Sequence, residues 1–334
     1  MPSFSLSDRA LASLTGLALG DALGMPTQSM SHEAIADSYG RVTGFVGAGP
    51  LQRIAAGMAA GSITDDTEQA LLLAKLLIEG GGRVDPRAFA DGLVAWERSM
   101  QERGSLDLLG PSTKAAVTRL LEGVPVAEAG SGGTTNGAAM RIAPIGIATP
   151  VDDLAGLVDA VEAASSVTHN TGLGISGAAA VAAAISAGLA GASVDEALDR
   201  ATEAARLGAR RGVWVAGGDI ASRLAHFRAW LPGVPAAERV RAVYDVIGTS
   251  VASQESVVAA LALVSLAEDP WATLGEAASV GGDTDTIGAM AGAVLGALHG
   301  MAAWPEAAVA TVTRVNGLQL PEVAAGLLLL RERV

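Results

Sequence analysis

Cysteine is absent from the 334 residues, which excludes disulfides, thiolate catalysis and cysteine-bound zinc together. Only four histidines occur, His32, His169, His226 and His299. They are scattered, so a histidine-rich transition-metal site is poorly supplied. Aromatic residues make up 3% and charged residues 17%, the latter well below the ~25% usual in soluble domains. Much of the chain must therefore be buried, and the burying is left to Ala, Leu, Val and Gly. Such side chains cover little area each, so stability has to come from backbones that pack closely. Strand patterning is missing too: no clear run of alternating β-branched residues appears, and helical spacing dominates. The expected fold is all-α, a single compact multi-helix globule spanning 1–334, because no low-complexity linker divides the chain.

Basic residues are also in short supply. Lys+Arg number 22 against 35 Asp+Glu, for a formal charge of −13. Phosphate backbones attract basic surfaces, so a general nucleic-acid polymer is not an expected partner. A small anion remains possible, held locally through a divalent metal. Residues 10–20 resemble the apolar part of a signal peptide, but Asp8, Arg9 and Asp21 flank them, and an internal helix is the better reading. Two uncharged stretches, 172–194 and 286–304, reach membrane-spanning length. The first is mostly Ala, Gly and Ser; the second follows two aspartates and contains His299. Both read as buried helices of a soluble, cytoplasmic monomer with no membrane partner.

Helices are expected over 8–24, 65–80, 86–101, 112–122, 152–166, 172–190, 194–209, 217–230, 236–249, 254–267, 286–302 and 320–332, punctuated by Gly and Pro. Within them Gly288, Gly292, Gly296 and Gly300 recur every fourth residue, and Gly16, Gly20 and Gly24 do the same near the N-terminus. Each helix-interior glycine costs up to ~1 kcal/mol against alanine. A series of them needs a return, and a smooth face for close helix approach supplies one. The two helices are expected at the centre of the bundle.

The acidic residues with chemical promise sit where apolar helices begin. Ser62-Ile63-Thr64-Asp65-Asp66-Thr67-Glu68 opens one helix, and Gly281-Gly282-Asp283-Thr284-Asp285-Thr286 opens another. Asp65 with Glu68 three positions on also fits a capping box. Two carboxylates spaced i, i+2 with alternating threonines exceed what capping needs, however. The two blocks together offer four carboxylates and several hydroxyls, hard oxygen donors suited to Mg²⁺, Mn²⁺ or Ca²⁺. Clustered, the carboxylates would repel one another without a cation. Between the blocks lies a glycine-rich loop, Gly132-Gly133-Thr134-Thr135-Asn136-Gly137, which either turns the chain or offers backbone N–H groups to phosphates as a nest. Thr168-His169-Asn170 follows, where the histidine reads either as a cap or surface residue or as part of a site.

These blocks, in this order, resemble the ADP-ribosylglycohydrolase family. The matching pieces are G-L-A-L-G-D-A-L-G-M-P (16–26), S-I-T-D-D-T (62–67), G-P-S-T-K (110–114), N-G-A-A-M-R-I-A-P (136–144), T-H-N (168–170) and G-G-D-T-D-T-I-G-A-M-A-G-A (281–293). The resemblance implies an all-α fold with two Mg²⁺ ions, Mn²⁺ being possible, held by Thr64, Asp65, Asp66, Asp283, Asp285 and Thr286. It implies a metal-dependent hydrolase that cleaves the glycosidic bond at the ribose of an ADP-ribosylated protein or ADP-ribose-like small molecule. Asp65, Asp66 and Asp285 would be catalytic. Gln28, Thr134, Thr135, Asn136, Gly137 and His169 would bind substrate, the loop taking the diphosphate and His169 the adenosine end. Asp21 looks structural. Two departures bear on substrate: Gln28 stands where many relatives carry glutamate, and Thr135 precedes Asn136 where many carry glycine. Asp107 lies near a position where some relatives carry a functional aspartate. Residues 210–230, with Arg210, Arg211 and Trp214, would either shape the leaving-group side or form a plain surface. A nucleosidase, or a non-catalytic ADP-ribose-binding or structural relative, is the alternative.

Overall fold

The structure, a computed structural model, describes residues 5–102 and 109–333. Among the described residues there are α-helices and short 3-10 and π turns, and no strand beyond three isolated bridges, Met30 with Gly282, Thr135 with Ala252 and Thr171 with Val213. One hydrophobic cluster runs through the whole assembly.

Two helices form its axis, Leu6–Gly24 and Thr284–His299. Neither has a polar face. Every residue from Ala12 to Gly24, and from Thr284 to Leu298, is buried, as suits a helix surrounded on all sides. Their glycines let the backbones touch in antiparallel register. A Cβ added to Gly292 would stand 2.0 Å from the Gly16 carbonyl oxygen, and one on Gly20 would stand 1.9 Å from that of Gly288. Gly296 abuts the Ala12 carbonyl at 2.0 Å in the same sense. Real side chains cannot exist at such distances, so these positions admit glycine only. Gly300 does not belong to this ladder. The helix stops at His299, and Gly300 closes it with φ +69° and ψ −176°, a conformation essentially reserved for glycine.

At the far end of the ladder, a Cβ on Gly24 would lie 2.4 Å from the Asp285 Cα. The close approach thus fixes Asp21, three residues earlier on the first helix, beside the start of the second. A third helix, Gly172–Leu189, packs alongside and is the one described helix long and apolar enough to cross a membrane; all of it is buried within the fold.

Three longer helices escaped the sequence reading, His32–Tyr39, Pro270–Ser279 and Glu306–Asn316, as did the short ones Val126–Ala129, Gly137–Met140 and Ala143–Ala148. Pro270 reads as a breaker but occupies the first helical turn, where its missing N–H is harmless. Asp269 caps that helix through the Trp271 and Ala272 amides, at 2.9 and 3.3 Å. The expected helix 236–249 is instead broken into a 3-10 turn, a short α segment Arg239–Ala242 and a π turn Val243–Ile247. It ends at Gly248, whose φ is +87°.

Candidate active site

The first acidic block is organised from outside its own helix. The helix Asp65–Glu79 starts after Thr64, whose side chain makes no cap, and the capping box expected of Asp65 and Glu68 does not form. Glu68 instead accepts the Trp96 indole N–H. The capping is done by Asp21 across the core. Its carboxylate accepts from the Thr64 N–H at 3.0 Å, the Thr64 hydroxyl at 2.8 Å, the Thr67 N–H at 3.1 Å and the Thr67 hydroxyl. Burial pushes the Asp21 carboxyl up to about 6 against the pull of these hydrogen bonds. Asp21 is therefore the tie between the ladder helix and the acidic block.

With the helix end capped from elsewhere, Asp65 and Asp66 are released for other use. Asp65 accepts the Gln69 amide one turn on, at 2.8 Å. Asp66 is 1% exposed. Its Oδ2 accepts from the Thr286 hydroxyl at 3.3 Å and lies 3.3 Å from the Thr64 hydroxyl, whose one proton is shared with the nearer Asp21, while its Oδ1 is buried with no hydrogen-bond partner. Burial, followed by repulsion from Asp65, Asp21 and Asp283, drives this carboxyl well above the usual range. Native structures rarely leave such an oxygen unpaired.

The second block is aimed by its two glycines. Gly281 and Gly282 have φ +97° and +79°, and a Cβ on Gly282 would meet the Thr249 carbonyl at 2.3 Å. The turn is sewn to the segment after the first helix: Ser29 N–H donates to the Gly282 carbonyl at 2.7 Å, and Gly282 N–H to the Met30 carbonyl at 2.8 Å. Asp283 occupies the cap position of Thr284–His299 but makes no cap bond; it accepts the Asn136 side-chain amide. Burial raises the Asp283 carboxyl, opposed by Asn136 and Thr286.

The hydroxyl of Thr286 on Asp66 joins the two blocks directly, so all six expected metal-binding residues belong to one region. They do not form a finished coordination shell. Among the described residues no three His, Cys, Asp or Glu side chains converge closely enough to hold an ion; the Thr64 and Thr286 hydroxyls are the groups within hydrogen-bond reach of Asp66. The donor set nonetheless fits a hard cation. It is all oxygen, it carries excess negative charge, and it includes the unsatisfied Asp66 Oδ1.

Gln28, Asp65, Thr135, Asn136, Gly137, Asp283, Asp285 and Thr286 line one cavity of about 290 Å³. Gly110, Pro111 and Thr113 complete a wall, which accounts for the G-P-S-T motif. Asp107 lies outside the described residues. A larger cleft, about 550 Å³, opens near Arg83 and Leu330 and has no carboxylate in its lining; chemistry favours the smaller one. Gln28 is 6% exposed, and its Nε2 is buried with no hydrogen-bond partner. Ser29 beside it is the one described non-glycine residue with positive φ, +60°, a strained conformation of the kind that collects at functional sites.

For the middle of the chain one expectation is narrowed and two need correcting. Two of the loop's N–H groups are committed within the fold, that of Gly133 to the Gly130 carbonyl at 3.0 Å and that of Asn136 to that of Val251 at 2.9 Å. Thr134 does not line the cavity; its carbonyl accepts from Ser253 N–H at 3.1 Å. His169 is neither a surface residue nor a wall residue. It is fully buried behind the wall, with Nε2 2.9 Å from the Thr135 hydroxyl and Nδ1 2.8 Å from that of Thr168. Burial and the Arg141 charge hold its pKa well below the ordinary value. Residues 210–230 also stay away from the cavity. Arg211 pairs with Asp159 and Glu162, Asp219 caps the helix Ile220–Trp230, and Trp214 is exposed to solvent.

Sequence reasoning assigned no role to Gln69 or Arg141. Gln69 had a usable signal, since it lies four residues after Asp65 on one helix face. Arg141 had only its place at the end of the N-G-A-A-M-R motif.

Fold and site together define a helical protein with a buried oxygen-donor pocket. The ADP-ribosylglycohydrolase family pattern matches residues 2–333. Protein YegU of Escherichia coli K12, described as uncharacterized, is 35% identical over 329 residues, 98% of each chain. The ADP-ribosyl-[dinitrogen reductase] glycohydrolase of Rhodospirillum rubrum is 35% identical over 167 residues, 50% of this chain and 53% of that one. The ADP-ribosylarginine hydrolase Tri1 of Pseudomonas putida is 34% identical over 167 residues, 49% of this chain and 42% of its own. A solved structure titled ADP-ribosylglycohydrolase-related protein complex superimposes with a TM-score of 0.69 at 25% identity, covering 98% of both chains. The chain belongs to the ADP-ribosylglycohydrolase family.

Proposed function

We propose that this chain is a metal-dependent hydrolase that cleaves the glycosidic bond at the ribose of an ADP-ribosylated side chain or a small ADP-ribose derivative. The observation that carries the reading is the buried carboxylate cluster: Asp66, with an unsatisfied oxygen, stands among Asp65, Asp21 and Asp283. Such a cluster is tolerable only with a cation or with protons. Thr64, Asp65, Asp66, Asp283, Asp285 and Thr286 would hold two Mg²⁺ or Mn²⁺ ions, which when bound supply Lewis acidity toward water and the ribose hydroxyls. Asp65 and Asp285, both in the cavity wall, would orient the attacking water and face the positive charge that develops at the anomeric carbon. Asp66 would hold the water-orienting group in place from behind. Asn136 fixes Asp283 through its amide, and Gln28, Thr135 and Gly137 border the sugar and its substituents.

Small-molecule pockets commonly enclose about 300–1,000 Å³, so a cavity of about 290 Å³ suits a ribose and its nearest substituents. The committed N–H groups of Gly133 and Asn136, with this volume, also favour a second reading: a nucleosidase whose ligand lacks the diphosphate. Calorimetry with Mg²⁺ present separates the two. Tighter binding of ADP-ribose than of adenosine supports the first, and the reverse order supports the second. Release of ADP-ribose from arginine- or serine-linked substrates, lost on chelation, is the expected activity; turnover undiminished after verified metal removal contradicts it.

A further inference from the structure

Arg141 sits at the middle of a hydrogen-bond chain that runs from Asp65 to Thr135, both in the cavity lining. It is 1% exposed, lies over the Phe89 ring at 5.0 Å, and donates Nη1 to Gln69 Oε1 at 2.8 Å and Nη2 to Thr168 Oγ1. A guanidinium has donors only, so both neighbours must accept. That fact fixes the amide on one side, and on the other it leaves Thr168 its proton to give, although a hydroxyl can also accept twice.

Toward the acid, Gln69 accepts through Oε1 and so presents its Nε2 to Asp65 Oδ2, 2.8 Å away. The orientation of this amide is thereby set, and Asp65 is met by a donor. Toward Thr135, Thr168 accepts through Oγ1 and keeps one hydroxyl proton, with His169 Nδ1 at 2.8 Å. If Nδ1 accepts, a neutral imidazole carries its proton on Nε2 and donates to Thr135 Oγ1 at 2.9 Å. Thr135 accepts from the ring, which leaves its own proton for the cavity it lines. The loop is shaped around that ring: a Cβ on Gly137 would come within 2.9 Å of His169 Cε1, and one on Gly133 within 2.6 Å of His169 Cα.

We propose that Arg141 is a positioning residue that sets the direction of this chain, holding Asp65 as an acceptor and making Thr135 a hydroxyl donor to an acceptor oxygen of the ligand. A phosphate oxygen and a sugar hydroxyl are the two sources of such an oxygen. The ligand's identity rests on the proposed function; the polarity of the chain does not.

Two measurements on the full-length protein test it. NMR of ¹⁵N-histidine-labelled protein, with His169 assigned from His169→Gln, should show a neutral ring protonated at Nε2 that does not titrate near the usual ~6.5. An Nδ1–H tautomer, or ordinary titration, overturns the proposal whether or not the chain is a hydrolase. Arg141→Lys keeps a cation but not the two-pronged donor, and should leave the His169 signals shifted or split; an unchanged His169 spectrum overturns it. For ligand binding, Thr135→Val should weaken ADP-ribose, or adenosine if that binds better, by about 10- to 100-fold, the range for a hydrogen bond to a charged or closely held partner. Thr135→Ser should recover most of the loss. Equal affinity of the valine variant and wild type overturns the donor role. Should wild type bind neither ligand, the proposed function falls and the histidine spectrum alone decides the chain.

Discussion

The two axial helices behave differently at their two ends. Along most of their length they meet glycine to carbonyl, and the polar groups there are matched: Ser13 donates to the Ala293 carbonyl at 2.9 Å and Arg9 to those of Ala297 and Leu298 at 2.8 and 2.6 Å. At the end where Gly24 meets Asp285, the same pair buries Asp285 and brings Asp21 and Asp283 against Asp66, whose carboxyl they repel. The ladder end is settled packing, and the acid end is unsettled electrostatics. The comparison teaches that the first makes the second possible. Carboxylates that would push apart on a flexible scaffold are held together because the helices carrying them cannot slide without a backbone collision.

The largest effect should come from breaking the ladder. Gly292→Leu forces atoms where the Gly16 carbonyl already stands, and overpacking of this kind costs ~1–3 kcal/mol or more; a collapse of the thermal transition is expected. Gly300→Ala should cost less, about 1–3 kcal/mol, the range for a non-glycine residue held at φ +69° and ψ −176°. Equal losses in thermal unfolding would mean that the two glycines serve one purpose and that the ladder is misdrawn.

Next comes the acid end, where stability and activity should move in opposite directions. Asp66→Asn removes a buried charge that its neighbours oppose. Metal-free protein carrying it should melt higher than wild type, while hydrolysis falls at least about 100-fold, a typical cost of losing one catalytic electrostatic group. A lower melting temperature for the metal-free variant would show that Asp66 is satisfied as it stands.

The acid end also predicts an inverted pH response. Asp21 is raised to about 6, and Asp66 and Asp283 are raised above 3.8. For a carboxyl whose folded pKa exceeds its unfolded one, the folded state binds more protons between the two values. The stabilisation is complete below about 4 and is lost as pH rises through about 6. Metal-free protein should therefore melt higher at pH 5 than at pH 7, and divalent cation should flatten the difference. A melting temperature that falls steadily from pH 7 to pH 5 without metal would count against a strained cluster.

Much of this division was legible in the sequence. Glycines at every fourth residue announced the ladder, because no other residue accepts a backbone at contact distance. Aspartates doubled beyond the needs of a cap announced the acid end. What stayed hidden was long-range: Asp21 caps a helix through Thr64, 43 residues later in the chain, and no local rule couples them. His169 was misplaced for the same reason, since burial behind a wall is decided by Gly133 and Gly137 approaching the ring from another segment. Pro270 misled by position, as its role depended on Asp269 capping just before it.

A smaller effect should sharpen the reading of the cavity at the acid end. Gln28 is almost fully buried, with its Nε2 unpaired. Gln28→Met should leave the melting temperature unchanged or slightly higher, yet weaken ligand binding about 10-fold, as expected for one lost hydrogen bond. Gln28→Glu places a further carboxylate beside the cluster and should lower activity on the native substrate. Rates unchanged in both variants would put residue 28 outside the site.

The central claim is that the acid end is built for cations, and titration of Mn²⁺ into verified metal-free protein, followed by calorimetry and thermal unfolding, addresses it most directly. Binding of two ions per chain, a higher melting temperature, and loss of both effects in Asp285→Ala are predicted. No saturable Mn²⁺ binding, with an unmoved melting temperature, would contradict the account.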